Sequence, residues 1–346
     1  MEDISVQKTL ATSLDLQDHA TPSRKRPRSS ADSEADSPTD AIHESPPSSP
    51  LLFEKKDELL WFEDGNIILV ADRGGFRLYR GVLSARSAVF RDLFCVPQPG
   101  DAEIYEGCPV VRLHDKQDEL WYLLRVLFGY TKFPQTEHIE FRQLAALVRL
   151  SHKYDINDLF DSSSERLLEM FPTQLADFER MQTLCSWSDA IEAINLAPLM
   201  NADFILPVAF YLCCQGPPQQ FSRAAAGKGG PRVLDAEDRE KCIELRAWLI
   251  LTNYRLSLKL FDWTPLNNCY REKNCTKLLQ KCMRLLAAID ENPTDCALFL
   301  SKRGLWEKLH LCDICREVLR VRDVTERQKL WQQLPSVLGM TIADWS

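Results

Sequence analysis

WFEDGNIILVADRGGFRLYRGVLSARSAVFRDLF, residues 61–94, contains the change of period that decides the fold. Asp64-Gly65 reads as a turn, and Ile67-Ile68-Leu69-Val70 as a short strand, apolar throughout. Asp72-Arg73-Gly74-Gly75 reads as a second turn, with glycine supplying the positive φ that a tight hairpin needs. Phe76-Arg77-Leu78-Tyr79 returns as a strand, Phe76 and Leu78 on one face, Arg77 and Tyr79 on the other. From Val82 the period becomes helical. Val89, Phe90, Leu93 and Phe94 fall at i, i+1, i+4 and i+5, one stripe of a short helix that Ser87 is placed to cap. A β-hairpin that feeds a helical hairpin is the seed of an α+β fold.

Working outward, residues 101–109 read as a loop and Val110-Val111-Arg112-Leu113 as a further strand. Leu120, Leu123, Leu124, Leu127 and Phe128 repeat at helical spacing. After a loop containing Pro134, a second helix presents Leu144, Leu147, Val148 and Ser151, and another runs from Asn157 to Met170. Over this span the chain resembles a BTB/POZ domain. The family's F-x-V-H-R-x-x-L run stands as Phe76-Arg77-Leu78-Tyr79-Arg80-Gly81-Val82-Leu83, with Tyr79 in place of the usual histidine, and its S-x-x-F as Ser87-Ala88-Val89-Phe90. Leu123-Leu124, Leu147-Val148-Arg149-Leu150-Ser151-His152-Lys153-Tyr154 and Leu159 match the later helical motifs in order and spacing. Glu106-Gly107-Cys108-Pro109-Val110-Val111-Arg112-Leu113 and Trp331-Gln332-Gln333-Leu334-Pro335 are similar to a BTB type multiplied in mushroom-forming fungi.

The 346 residues suffice for two or three domains, and 45% hydrophobic with 27% charged content is ordinary for a globular protein. A formal charge of −8 argues against a body that grips nucleic acid, which needs clustered lysine and arginine. MEDISVQKTL lacks the basic and apolar regions of a signal peptide. The apolar run Ile205–Cys214 is about half of what a membrane span requires. An intracellular, soluble protein of the nucleus or cytoplasm is expected, its twelve cysteines reduced.

Four segments are expected. Residues 1–52 form a Ser/Pro/acid-rich disordered tail, residues 53–172 the BTB/POZ domain, residues 173–258 a helical extension and residues 259–346 a helical end containing cysteines. In the tail, Arg24-Lys25-Arg26-Pro27-Arg28 has the compact basic character of a nuclear-import signal, or of a solvated charge run. In the extension, Trp187, Ala190, Ile191 and Ile194 share a stripe, Pro207 suits a helix start, and Asp235 suits an N-cap before Leu245, Trp248, Leu249 and Thr252. GPPQQFSRAAAGKGGP, residues 216–231, reads as a break between helices.

Catalytic patterns such as G-x-S-x-G, a Walker loop, G-x-G-x-x-G and H-E-x-x-H are missing from the sequence. The acid pair Asp118-Glu119 reads as the solvent face of a helix. Cys269 and Cys275 in NNCYREKNCTK, with Cys312 and Cys315 in HLCDICRE, have the two-pair arrangement of a structural zinc site with four cysteine ligands. The competing reading is buried thiols, with Cys312 and Cys315 one turn apart on a helix. As zinc ligands the four thiolates would carry two excess negative charges, offset by Arg271, Lys273 and Lys277, with His310 as a reserve ligand.

The BTB resemblance implies a non-enzymatic scaffold that binds other proteins or a second copy of itself, and acts as a nuclear regulator. A second expectation is a substrate adaptor of a cullin-type ubiquitin ligase. Cullin-binding members often carry apolar-x-Glu after the third helix, where this chain has Phe133-Pro134-Gln135. A cysteine- or metal-dependent enzyme is the third. Binding of membranes or nucleic acid is not expected.

Overall fold

The computed structural model describes residues 53–96, 103–135, 139–181, 185–217, 233–261, 268–288 and 310–346, the side chains of 282–288 excepted. Its first part is α+β. β1 (Lys55–Trp61), β2 (Ile67–Ala71) and β3 (Gly74–Leu78) precede a helical hairpin, α1 (Arg80–Arg86) and α2 (Ala88–Cys95). β4 (Ile104–Tyr105) and β5 (Cys108–Leu113) follow, then α3 (Gln117–Leu127), α4 (Phe141–Lys153) and α5 (Asn157–Leu168). The five strands form one sheet in the order β1-β3-β2-β5-β4. β2 is antiparallel to β3 and parallel to β5, and β1 lies parallel to β3 at one edge.

The hairpin between β2 and β3 is tighter than its glycines suggest. Ala71 pairs with Gly74, so the turn is Asp72-Arg73, and Asp72 takes the left-handed φ of 48°. Aspartate tolerates that region because its side chain bonds locally. Gly74 and Gly75 are strand residues instead. A Cβ on Gly75 would lie 2.8 Å from the Phe53 ring, so the glycine is needed for close approach, not for φ. The expected loop at 101–109 contains a hairpin of its own. Glu106 and Gly107, at φ 50° and 75°, form a two-residue turn between β4 and β5.

β2 is buried on both faces, which explains an unbroken apolar run where a half-exposed strand would alternate. On one side Ile67 and Leu69 join Phe76, Leu78, Leu83, Phe90, Leu120, Leu123, Leu124 and Leu147. On the other, Ile68 and Val70 pack with Phe53, Cys108 and Val110. Ser87 ties the helical hairpin to the later helices. Its Oγ accepts from Phe90 N at 3.0 Å, capping α2, and donates to Tyr154 O at 2.5 Å. The Tyr154 ring stacks on Phe90 at 4.2 Å.

The second part is helical: α6 (Leu175–Met181), α7 (Trp187–Leu196), a 3-10 turn (Asp203–Ile205), α8 (Leu206–Cys213), α9 (Ala236–Leu260), α10 (Glu272–Ala288) and α11 (Asp313–Val337). Ser186 and Asp189 make a reciprocal capping box on α7, and Asp235 caps α9 by accepting from Asp238 N at 2.8 Å. Pro207 sits in the first turn of α8, where its missing N–H costs nothing. One buried cluster extends from Phe141 and Val148 on α4 through α7, α8 and α9 to Trp331 and Leu338. The expected boundary at 258/259 falls inside α9, and residues 51–346 group as one compact unit.

Buried charges fasten these helices. Arg149 of α4 bonds Glu119 of α3 at 3.0 Å and Glu192 of α7, whose side chain is 2% exposed. Glu119 thus turns inward, at 13% exposure, contrary to the solvent face read for it; Asp118 pairs with Arg142. Arg327 of α11 bonds Asp323 at 2.9 Å and reaches Glu179 of α6. Trp331 is wholly buried, donates to Thr173 O at 2.8 Å and stacks on Trp345. No helix among the described residues is long and apolar enough to cross a membrane.

Candidate metal centre

The four cysteines singled out by spacing converge. The Sγ atoms of Cys269, Cys275, Cys312 and Cys315 all lie within 4.8 Å of one another. Cys269 Sγ is 3.7 Å from Cys312 Sγ and 3.4 Å from Cys315 Sγ. A tetrahedral zinc ion with metal–sulfur bonds of about 2.3 Å requires sulfurs about 3.8 Å apart. The donor set therefore fits zinc in both number and separation.

Each pair is placed by the start of a helix. Asn268, at φ 76°, turns the chain into Cys269, and Cys275 lies in the first turn of α10, its N–H donating to Arg271 O at 2.9 Å. Cys312 is the extended N-cap residue of α11, and Cys315 lies within its first turn. C-x-x-C at a helix start works because the cap residue and the third helical residue lean toward the same side. The first pair is spaced more widely because Cys269 lies three residues before the first residue of α10. Two helix N-termini thus face the sulfur cluster, and their partial positive charge favours thiolates there. The Cys312 N–H also donates to Cys275 Sγ at 3.5 Å.

Cys275, Cys312 and Cys315 are buried and Cys269 is half-buried. Burial pushes the Cys275 and Cys315 thiols up. Burial acts the same way on Cys312, but the Cys315 N–H and the neighbouring cysteines outweigh it and bring that thiol down to about 7. A metal bound by the four sulfurs would replace these competing protons. With all four positions filled by protein sulfur, no position is left for water, which is the arrangement of a structural site.

No protein-family model matches the chain, and no curated protein matches it.

Of the remaining residues, Arg271, Lys273 and Lys277 are exposed beside the first pair, where their charge is free to act through solvent. His310 is exposed and stands outside the group of four. Arg24, Lys25, Arg26 and Arg28 lie outside the described residues. A second thiol group was not visible in the spacing. Cys242 Sγ donates to Cys213 Sγ at 3.7 Å, and Cys214 Sγ donates to Cys242 O at 3.4 Å. The Cys242 contact and burial hold the Cys213 thiol well above its usual range. That is the character of packed, unreactive cysteine.

Proposed function

We propose that this chain is a non-enzymatic protein-interaction scaffold: a BTB/POZ-type domain at residues 53–172, borne on a helical body whose C-terminal helices a structural zinc ion ties together. The observation that supports the domain reading most is the order of elements around the sheet. A hairpin, a helical hairpin, a strand returning parallel to β2 and then α3, α4 and α5 follow one another as the sequence resemblance requires. For the zinc, the support is the convergence of the four sulfurs. Its role is mechanical: it joins the starts of α10 and α11, which are 37 residues apart between Cys275 and Cys312. Metal binding free energy then becomes folding free energy for that end of the chain. The closed ligand set favours this role over metal catalysis.

As a scaffold the domain works through exposed surface, for partner proteins or a second copy, in the nucleus or cytoplasm. Leu59 on β1 and Val89 on α2, both 39% exposed, are apolar side chains available for it. The cullin-adaptor reading stays second, because Phe133 packs against the core and Gln135 stands where an acid is expected. Affinity capture of the full-length chain, compared with its Leu59→Glu/Val89→Glu variant, tests the proposal. Both sites are exposed, so the variant should fold. A partner set lost in the variant supports the scaffold, and cullin among those proteins moves the reading to the adaptor. Capture that does not differ between parent and variant would defeat it.

A further inference from the structure

Helix α9, 25 residues long, has two apolar faces. Cys242, Leu245, Leu249, Leu256 and Leu260 turn into the core. Ile243, Ala247, Leu251, Tyr254 and Leu258 form a second stripe, which at about 100° per residue lies on the opposite side, with Ile250 at its margin and half-buried against the core. Ile243 is 54% exposed, Leu251 47%, Tyr254 64% and Leu258 42%. Single exposed apolar side chains need no explanation, but a continuous stripe about 22 Å long marks an interaction surface.

We propose that this stripe is the contact of a twofold-symmetric dimer, in which α9 of a second copy of this chain lies antiparallel along it. The stripe is complementary to itself. With the twofold axis between Ile250 and Leu251, Ile243 faces Leu258 of the second copy, and the small Ala247 faces the large Tyr254. Such an axis also brings the same edge of both helices together. Glu244 and Arg255 share one edge of the stripe, and neither has an ion-pair partner among the described residues. In the dimer Arg255 of the second copy falls about 3 Å along the axis from Glu244. Opposite charges therefore meet twice. A helix from an unrelated protein would require none of this internal match between the two halves of α9.

One helical face is at the small end of stable interfaces, so association in the micromolar range is expected. Sedimentation velocity on the full-length chain, from about 1 to about 100 µM, measures it. Leu251→Glu, at an exposed site, should weaken association by about tenfold or more. Glu244→Arg and Arg255→Glu should each associate poorly alone, and their mixture should recover the parent's affinity, because the mixed dimer restores both opposite-charge contacts. Leu59→Glu/Val89→Glu should leave this step intact, which separates it from self-association through the BTB-type domain. A parent chain monomeric throughout would assign the face to another protein's helix and overturn the proposal. Association unchanged by Leu251→Glu, or a mixture no tighter than its components, would overturn it equally.

Discussion

Replacing Arg149 by methionine removes the cation that α4 holds between α3 and α7, with little change in volume. Two carboxylates lose their partner, and their fates differ. Glu119 is 13% exposed and keeps Lys116 at 3.4 Å, so it has an alternative. Glu192 is 2% exposed on the inner face of α7, so it is the more deeply buried of the two. Breaking a buried pair by removing one partner costs about 3–5 kcal/mol, since the remaining charge is left desolvated. For a unit of this size that corresponds to a loss of roughly 5–8 °C in melting temperature. Arg149→Met/Glu192→Met should recover most of the loss, because it removes the stranded charge together with the cation. Thermal melts followed by circular dichroism, with the four proteins of the double-mutant cycle, give both numbers. If Arg149→Met melted within about 2 °C of the parent, the claim that these charges fasten the α+β part to the helical body would be wrong.

Leu83 is wholly buried in α1, so Leu83→Asp places an unpaired carboxylate in the core and costs several kcal/mol, comparable to the whole stability of a domain; soluble expression with an unchanged melting curve would refute the placement of the helical hairpin. The stabilisation conferred by zinc should shrink as pH falls from about 8 to about 6, because zinc must displace protons from thiols. Cys275 and Cys315, whose thiols burial holds above the usual range, carry the protons that zinc must displace over this interval. Melts with and without zinc at three pH values check this, and a pH-independent difference would count against thiolate ligation. Changing Arg24, Lys25 and Arg26 to alanine should shift a tagged chain from nucleus to cytoplasm in fluorescence images; an unshifted variant would remove the import signal from the account.

The parts of the fold that were legible are those where local pattern and tertiary burial agree. β2 and β3 announce themselves through apolar content, and Ser87 through its place two residues before a helical stripe. β1, KKDELLW, did not read as a strand because most of its residues are exposed at the sheet edge. The glycines of the hairpin were read as turn residues because sequence shows a glycine's freedom of φ, not the Phe53 ring that Gly75 must accommodate. Cysteine spacing picked out all four sulfurs of the cluster, since paired cysteines at helix starts are local features. Arg149, Glu192, Arg327 and Cys213 gave no such signal: their partners are brought together only by helix packing. The second face of α9 stayed hidden for a related reason, because two opposed apolar stripes cancel the asymmetry by which an amphipathic helix is recognised.

The zinc-tied scaffold is tested most directly by X-ray absorption at the zinc edge on reduced, full-length protein. The account predicts one zinc per chain with four sulfur neighbours at about 2.3 Å and no oxygen. Protein that contains no zinc after growth with the metal would contradict it. So would a zinc shell with a water oxygen in place of one sulfur, which would reopen the catalytic reading.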